Sequence, residues 1–260
     1  MKLGMIAPSH DDAGIAAVAS LGLKWIEFDI NADDISYFDA DAVKASLAAH
    51  GVHTGAIGRW GRPRIEKTGG INAKEQKDEF DLIDICKKLG CPYYIAGVNY
   101  VDELSLYENY TAAINYLGSL KAHCGEEVKL ITYNCSWNNY IDKPAAWDIV
   151  NAHLGIGIKF DPSHTVNGGR DYIDEAFRYG DKVGHIHLKG TVNIGGTHFD
   201  DPPAGLDSVN WGMLLSIFQK HGYEGMLSIE PHSATWSGEL GERGLKYTVD
   251  YFRAMPFVTE

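Results

Sequence analysis

GIGIKFDPSH, residues 155–164, and VGHIHLK, residues 183–189, are two short apolar runs separated by one helical stretch. That spacing is a strand–helix–strand unit, and its strands must run parallel because the chain crosses over between them. A third run, MLSIE at 226–230, follows after a longer excursion. Side chains alternate along a strand, so the apolar face reveals the other one. Ile158 and Phe160 belong against helices, which turns Lys159 and Asp161 the opposite way. The same parity turns His185, His187 and Lys189 away from Ile186 and Leu188, and Glu230 away from Leu227 and Ile229. In an earlier run, KWIEFDI, it turns Glu27 and Asp29 away from Ile26 and Phe28.

Outward from this stretch the unit repeats. Strands are expected at 2–7, 24–30, 52–57, 92–98, 128–133, 155–161, 182–188 and 225–230. Helical patterns follow at 14–21, 41–50, 72–89, 104–123, 144–153, 171–179, 211–221 and 240–252, the seventh showing Trp211, Leu214, Leu215 and Phe218 at i, i+3, i+4, i+7. Eight equal units predict a parallel sheet closed on itself, a single (β/α)8 TIM-barrel domain over residues 1–260. The glycines at 22, 90, 155 and 222 sit where helix C-caps feed the next strand.

Chemistry in such a barrel gathers at the C-terminal strand ends. The residues there are Ser9, His10, Asp29, Arg59, Trp60, Asn99, Asn134, Asp161, His164, His187, Lys189, Glu230 and His232. Asp161, His187 and Glu230 come from three successive strands with inward parity and have no permanent cationic partner in prospect. Two carboxylates and an imidazole suit a divalent metal, Mn²⁺ first, with Mg²⁺, Co²⁺ or Zn²⁺ as alternatives. Glu27, one layer lower, is expected to border the substrate and to pair with Lys159. His185 is placed on the substrate side, with a second-layer role as the rival. Lys189 suits an enolate or hydroxyl oxygen, and His164 and His232 are candidate proton carriers. The loop GRWGRPRIEKTGG (58–70) reads as a lid bringing Arg59, Trp60 and further basic residues over the pocket, or as a solvated basic loop. Residues 189–210 form a second lid or an interface.

Composition narrows the field. Apolar residues make 45% and charged residues 22%, as in a soluble globular protein, and the net charge of −12 disfavours phosphate backbones. The four cysteines lack CxxC spacing and are expected as reduced, mostly buried thiols, with a cytoplasmic setting. The opening KLGMIAP is too short for a signal peptide, and no apolar run spans a membrane. The expected partner is a small molecule, not nucleic acid or membrane; a homo-oligomer is left open.

HIHLKG, FDPSH, GYEGMLSIE and the preceding GLDSVNW resemble the xylose-isomerase-like TIM-barrel superfamily, which includes ketose 3-epimerases, inosose dehydratases and type IV apurinic endonucleases. The resemblance covers essentially the whole chain and is strongest over 155–230. It implies Asp161, His187 and Glu230 as metal ligands and His164 as a substrate contact. Many epimerases of the group carry a Glu at the end of strand five; here that strand ends ITYNCSW. Asn134 is the stand-in there for metal or substrate, or Tyr133 if the register differs by one. The resemblance therefore points to a metal-dependent sugar isomerase or epimerase working by proton abstraction beside a carbonyl. The rivals are a lyase or dehydratase, a non-catalytic sugar-binding barrel, and an abasic-site endonuclease.

Overall fold

The computed structural model describes residues 1–259. The first half of the chain alternates β1 (Lys2–Ile6), α1 (Asp12–Ser20), β2 (Trp25–Asp29), α2 (Ala40–His50), β3 (His53–Gly58), α3 (Ala73–Leu89), β4 (Tyr93–Ala96) and α4 (Leu106–Cys124). Next come β5 (Lys129–Tyr133), then α5 (Pro144–Ala146) and α6 (Ala152–Leu154) joined by a π-helical turn at Trp147–Asn151. After β6 (Gly157–Phe160) stand α7 (Pro162–Asn167), α8 (Tyr172–Tyr179) and β7 (Val183–Leu188). A hairpin of β8 (Val192–Ile194) and β9 (Thr197–Asp200) precedes α9 (Trp211–Lys220), β10 (Met226–Ile229) and α10 (Gly238–Arg253).

Eight strands close into a parallel barrel in the order β1-β10-β7-β6-β5-β4-β3-β2, so the expected single barrel is the fold. Most strands feed a helix whose start is fixed by a side chain: Asp11, Asp39, Asn72, Ser105 and Asp171 accept from the orphan N–H groups of the first turns. The glycines at 22, 90, 155 and 222 all have positive φ where helices end. Two elements were not expected: the single-turn α7 and the β8–β9 hairpin, which rises from the 189–210 segment.

The main apolar core lies between sheet and helices; a smaller one, Ala56, Trp60, Ile95, Ile131 and Tyr133, packs separately. Parity places the smaller one inside the barrel, with Thr132 turned out to accept from Asn151 Nδ2 at 2.7 Å. Two irregularities of pairing set that parity. Ile26 pairs with Thr54 but Glu27 with Ala56, and Ile158 with Val183 but Lys159 with His185. Gly55 and Gly184 are the extra residues of these bulges. At Gly184 a Cβ would lie 2.6 Å from Tyr93, so only glycine lets that ring close the barrel's lower end.

The arginines of the basic loop after β3 turn into the protein instead of over the pocket, while its tip around Lys67 is exposed. Arg59 and Arg64 are fully buried beneath it. Arg59 Nη2 lies 3.2 Å from both Glu75 and Asp78, Arg62 Nη2 2.7 Å from Glu75, and Arg64 Nε 2.6 Å from Glu79. The acids belong to the sheet-facing side of α3, and buried guanidinium needs such partners. The four cysteines are free, three of them buried. No helix among the described residues is long and apolar enough to cross a membrane.

Candidate metal centre

Four strands converge on His187. From β7 it sends Nδ1 to Glu230 Oε2 at 2.6 Å, just past β10, and Nε2 to Glu27 Oε1 and Oε2 at 2.9 and 3.0 Å on β2. Asp161 Oδ2, at the end of β6, stands 3.9 Å from Nδ1. Both ring nitrogens therefore donate to carboxylates, which describes an imidazolium. Burial opposes that charge, but Glu27 and the two hydrogen bonds outweigh it and raise the His187 pKa to about 9. The same contacts pull Glu27 and Glu230 below the usual carboxylate range against their own burial.

Glu27 is not a substrate contact. It is fully buried, and besides His187 it takes His185 Nε2 at 2.7 Å. Its expected pairing with Lys159 is likewise replaced: Lys159 Nζ reaches Asp161 Oδ2 at 3.4 Å and lies over the Trp60 ring at 5.2 Å. Glu27 meets imidazoles and not the ammonium, since His185 and His187 on β7 both come within 3.0 Å of its carboxylate. His185, also fully buried, is a second-layer residue, its pKa lowered by burial. Arg59 points away from the mouth into α3, as described above. Trp60 does line the interior, edge-on to His187 with ring centroids 5.9 Å apart.

Asp161 does two jobs. Oδ1 accepts from Ser163 N and Oγ at 2.9 and 2.7 Å, capping α7 with Pro162 in its first turn. Oδ2 faces the mouth, near His164 Nε2 at 3.4 Å. Despite burial, the charge of Lys159 above all brings its pKa down to about 2. His164 is held neutral by burial, its own pKa lowered to about 4. Lys189 Nζ lies 3.8 Å from Glu230 Oε1 and 3.7 Å from Asp201 Oδ2. His232 touches no member of the trio; its Nδ1 pairs with Asp201 at 3.2 Å.

Asn134 is engaged by the backbone beside it. Its Oδ1 accepts from Asp161 N at 3.0 Å, while Nδ2 donates to Asp161 O at 2.8 Å and Thr165 Oγ1 at 3.2 Å. Both ends of the amide are spent on stitching β5 to the end of β6. Tyr133 is the inward residue of β5, and Cys135 packs against the same inner cluster. Asn134→Ala is expected to cost about 1–3 kcal/mol, the penalty for orphaning the Asp161 backbone groups; an unchanged denaturant midpoint would contradict it.

Two residues had little signal in the sequence. Asp201, in the lid segment, gathers Lys189, His198 and His232. Asp29 belongs to the strand-end ring, yet its buried Oδ1 has no partner, and burial together with Glu27 raises its pKa well above normal.

Ligand atoms of Asp161, His187 and Glu230 all lie within 4.8 Å of one another, as do those of Glu27, His185 and His187. The first group fits a divalent ion better. It is at the mouth, its Glu230 side chain is 18% exposed, and Glu27 stays behind Nε2 to orient the ring, as carboxylates do behind metal-bound histidines.

A family model described as xylose isomerase-like TIM barrel matches residues 15–255. Among solved structures, D-allulose 3-epimerase from Methylomonas sp. is 14% identical with a TM-score of 0.77, 97% of each chain being covered. The 3-keto-D-glucoside 4-epimerase of E. coli is 12% identical at a TM-score of 0.76, over 98% of this chain and 100% of that one. A xylose isomerase domain protein from Planctomyces limnophilus is 16% identical at 0.71, over 92% and 90%. At these identities the likeness is one of fold. No curated protein matches the sequence.

Proposed function

The chain belongs to the xylose isomerase-like TIM barrel family, and on that premise we propose a divalent-metal-dependent sugar isomerase or epimerase. It takes a proton from the carbon beside the carbonyl of a keto-sugar or polyol. The observation that carries this reading is the Asp161, His187 and Glu230 trio at the barrel mouth, backed by Glu27. Neighbours in fold that are epimerases of D-allulose and of a 3-keto-D-glucoside support it.

Asp161 Oδ2, His187 Nδ1 and Glu230 are the groups that would hold the ion. When bound, a divalent ion supplies a Lewis acid for adjacent carbonyl and hydroxyl oxygens, Mn²⁺ being our first choice. Glu230, ionised, accepts the proton from carbon. Lys189 stabilises the negative charge that develops on the neighbouring oxygen. Neutral His164 hydrogen-bonds a substrate hydroxyl, Trp60 walls the sugar ring, and His232 acts through Asp201 at the rim. Elimination is the second reading, because β5 turns in Tyr133 and Cys135 and no carboxylate. One base suffices for isomerisation or β-elimination, whereas exchange between two opposed carboxylates does not fit. A net charge of −12 leaves nucleic acid outside the proposal.

Incubating the Mn²⁺-loaded protein with a panel of keto-sugars in D₂O is expected to give metal-dependent deuterium incorporation beside the carbonyl, read by NMR. No incorporation with any sugar or metal would overturn the proposal. Metal binding should also depend on pH. Nδ1 of His187 must shed its proton to ligate, and that proton leaves at about pH 9. Affinity is therefore expected to rise about tenfold per pH unit below 9 and to level off above it. Calorimetric titrations with Mn²⁺ at pH 6, 7 and 8 check this; a flat profile would remove His187 from the ligand set.

A further inference from the structure

Both carboxylates of the trio already hold an ammonium. Lys189 stands at Glu230, where it also borders the substrate, but Lys159 has no such place. It is buried, with 2% of its surface exposed, one layer beneath the mouth. Its single hydrogen bond goes to Asp161 Oδ2, the oxygen that faces the mouth, and the Trp60 ring covers its other side. Trp60 is anchored through its backbone N–H, which donates to Asn31 Oδ1 at 2.7 Å, and its buried side chain stays over the ammonium. The bulge that pairs Lys159 with His185 aims it inward, and Glu27, an alternative anion, is saturated by His185 and His187.

We infer that Lys159 is a resident counter-ion of Asp161 that sets the affinity for the divalent ion, an inference that rests on the metal-dependent reading above. An ion held by Asp161 Oδ2 shares that oxygen with an ammonium only 3.4 Å away. The repulsion between the two cations cannot be relieved by movement, and it holds the site in a weak-binding, exchangeable regime. Without the ion, Lys159 keeps Asp161 compensated and the mouth folded. Lys159 acts through Asp161 and touches no substrate, so it is a positioning residue.

The test is Lys159→Met, with Lys159→Gln as a second neutral variant of different packing. Mn²⁺ affinity, measured by calorimetry and by the EPR signal of free Mn²⁺, is expected to rise about 10–100-fold in both, from removing one charge at short range in a partly screened site. In EDTA both should melt earlier than the parent, because Asp161 loses its partner, yet show a larger upward shift on adding Mn²⁺. A purely structural lysine would lower melting temperature without raising affinity. Unchanged or weaker Mn²⁺ binding in both folded variants overturns the inference, even where the parent binds Mn²⁺ and catalyses exchange. If the parent neither binds Mn²⁺ nor exchanges deuterium, the functional reading falls and this inference with it.

Discussion

Glu230→Gln is expected to slow metal-dependent deuterium exchange by about 10²–10⁴-fold, the range for removing a positioned general base. The substitution preserves shape: a Gln oxygen still accepts the His187 Nδ1–H, now 2.6 Å from Oε2. It also leaves Lys189 near a polar neighbour instead of a void. What it removes is the capacity to take a proton and much of the ligand's charge. These are separable by measuring exchange at saturating Mn²⁺ after fixing the affinity by calorimetry. Were exchange within tenfold of the parent at saturation, the proton would belong to another group, His164 being nearest among those placed at the mouth. Glu27→Asp would be a poor substitute for this experiment, because it shifts the imidazole ring itself.

Arg64→Met is expected to destabilise the fold by about 3–5 kcal/mol, the cost of leaving one member of a buried ion pair alone. Glu79 is fully buried, and burial already raises its pKa although Arg64 lies at 2.6 Å. Without Arg64 the carboxyl has to fold protonated, so its folded pKa climbs further above the unfolded one. The sign follows: the variant is least impaired at low pH, below the unfolded pKa, and loses stability as pH rises. Arg64 Nη2 also donates to the Arg59 carbonyl at 2.6 Å, so the loop backbone loosens as well. Urea titrations at pH 5 and 8 check both magnitude and slope. The double variant Arg64→Met, Glu79→Leu should regain most of the loss, since replacing both partners leaves no orphan charge. A single variant within 1 kcal/mol of the parent would show that water reaches Glu79.

The barrel and its inward faces were legible where apolar and polar residues alternate cleanly. Ile158–Phe160, Ile186–Leu188 and Leu227–Ile229 fix three strands, and Asp161, His187 and Glu230 converge as that parity requires. On β5 the run Ile131, Thr132, Tyr133 offers no such contrast. Thr132 turns out only because Asn151, from the following helix, supplies a donor. The basic loop was misread for a related reason: an arginine's partner cannot be seen from its own segment. A signal did exist in Glu75, Asp78 and Glu79, acids at i, i+3 and i+4 on the same side of a helix as buried Leu82 and Ile83. Glu27 reached His187 and not Lys159 because distance across a closed barrel depends on both bulges, which adjacent positions in sequence do not report.

The β8–β9 hairpin has a consequence for motion. Beside Glu230 a cavity of about 20 Å³ lies between the outer face of β7 and β10, the segment after β9 and α10, lined by Leu188, Asp201, Pro203, Ile229, His232 and Trp236, which is room for about one water molecule. The loop after β3 is held by buried ion pairs, whereas the hairpin is tied by partly exposed contacts, among them Ser233 to Asp200 at 2.7 Å, His232 to Asp201 at 3.2 Å and Asn193 to Asn167 at 3.1 Å. Net contributions of about 1 kcal/mol per such contact make the hairpin easier to displace than the loop after β3, whose ion pairs are buried. Ile194 and Phe199, 62% and 71% exposed on that hairpin, are the large apolar side chains it presents to solvent.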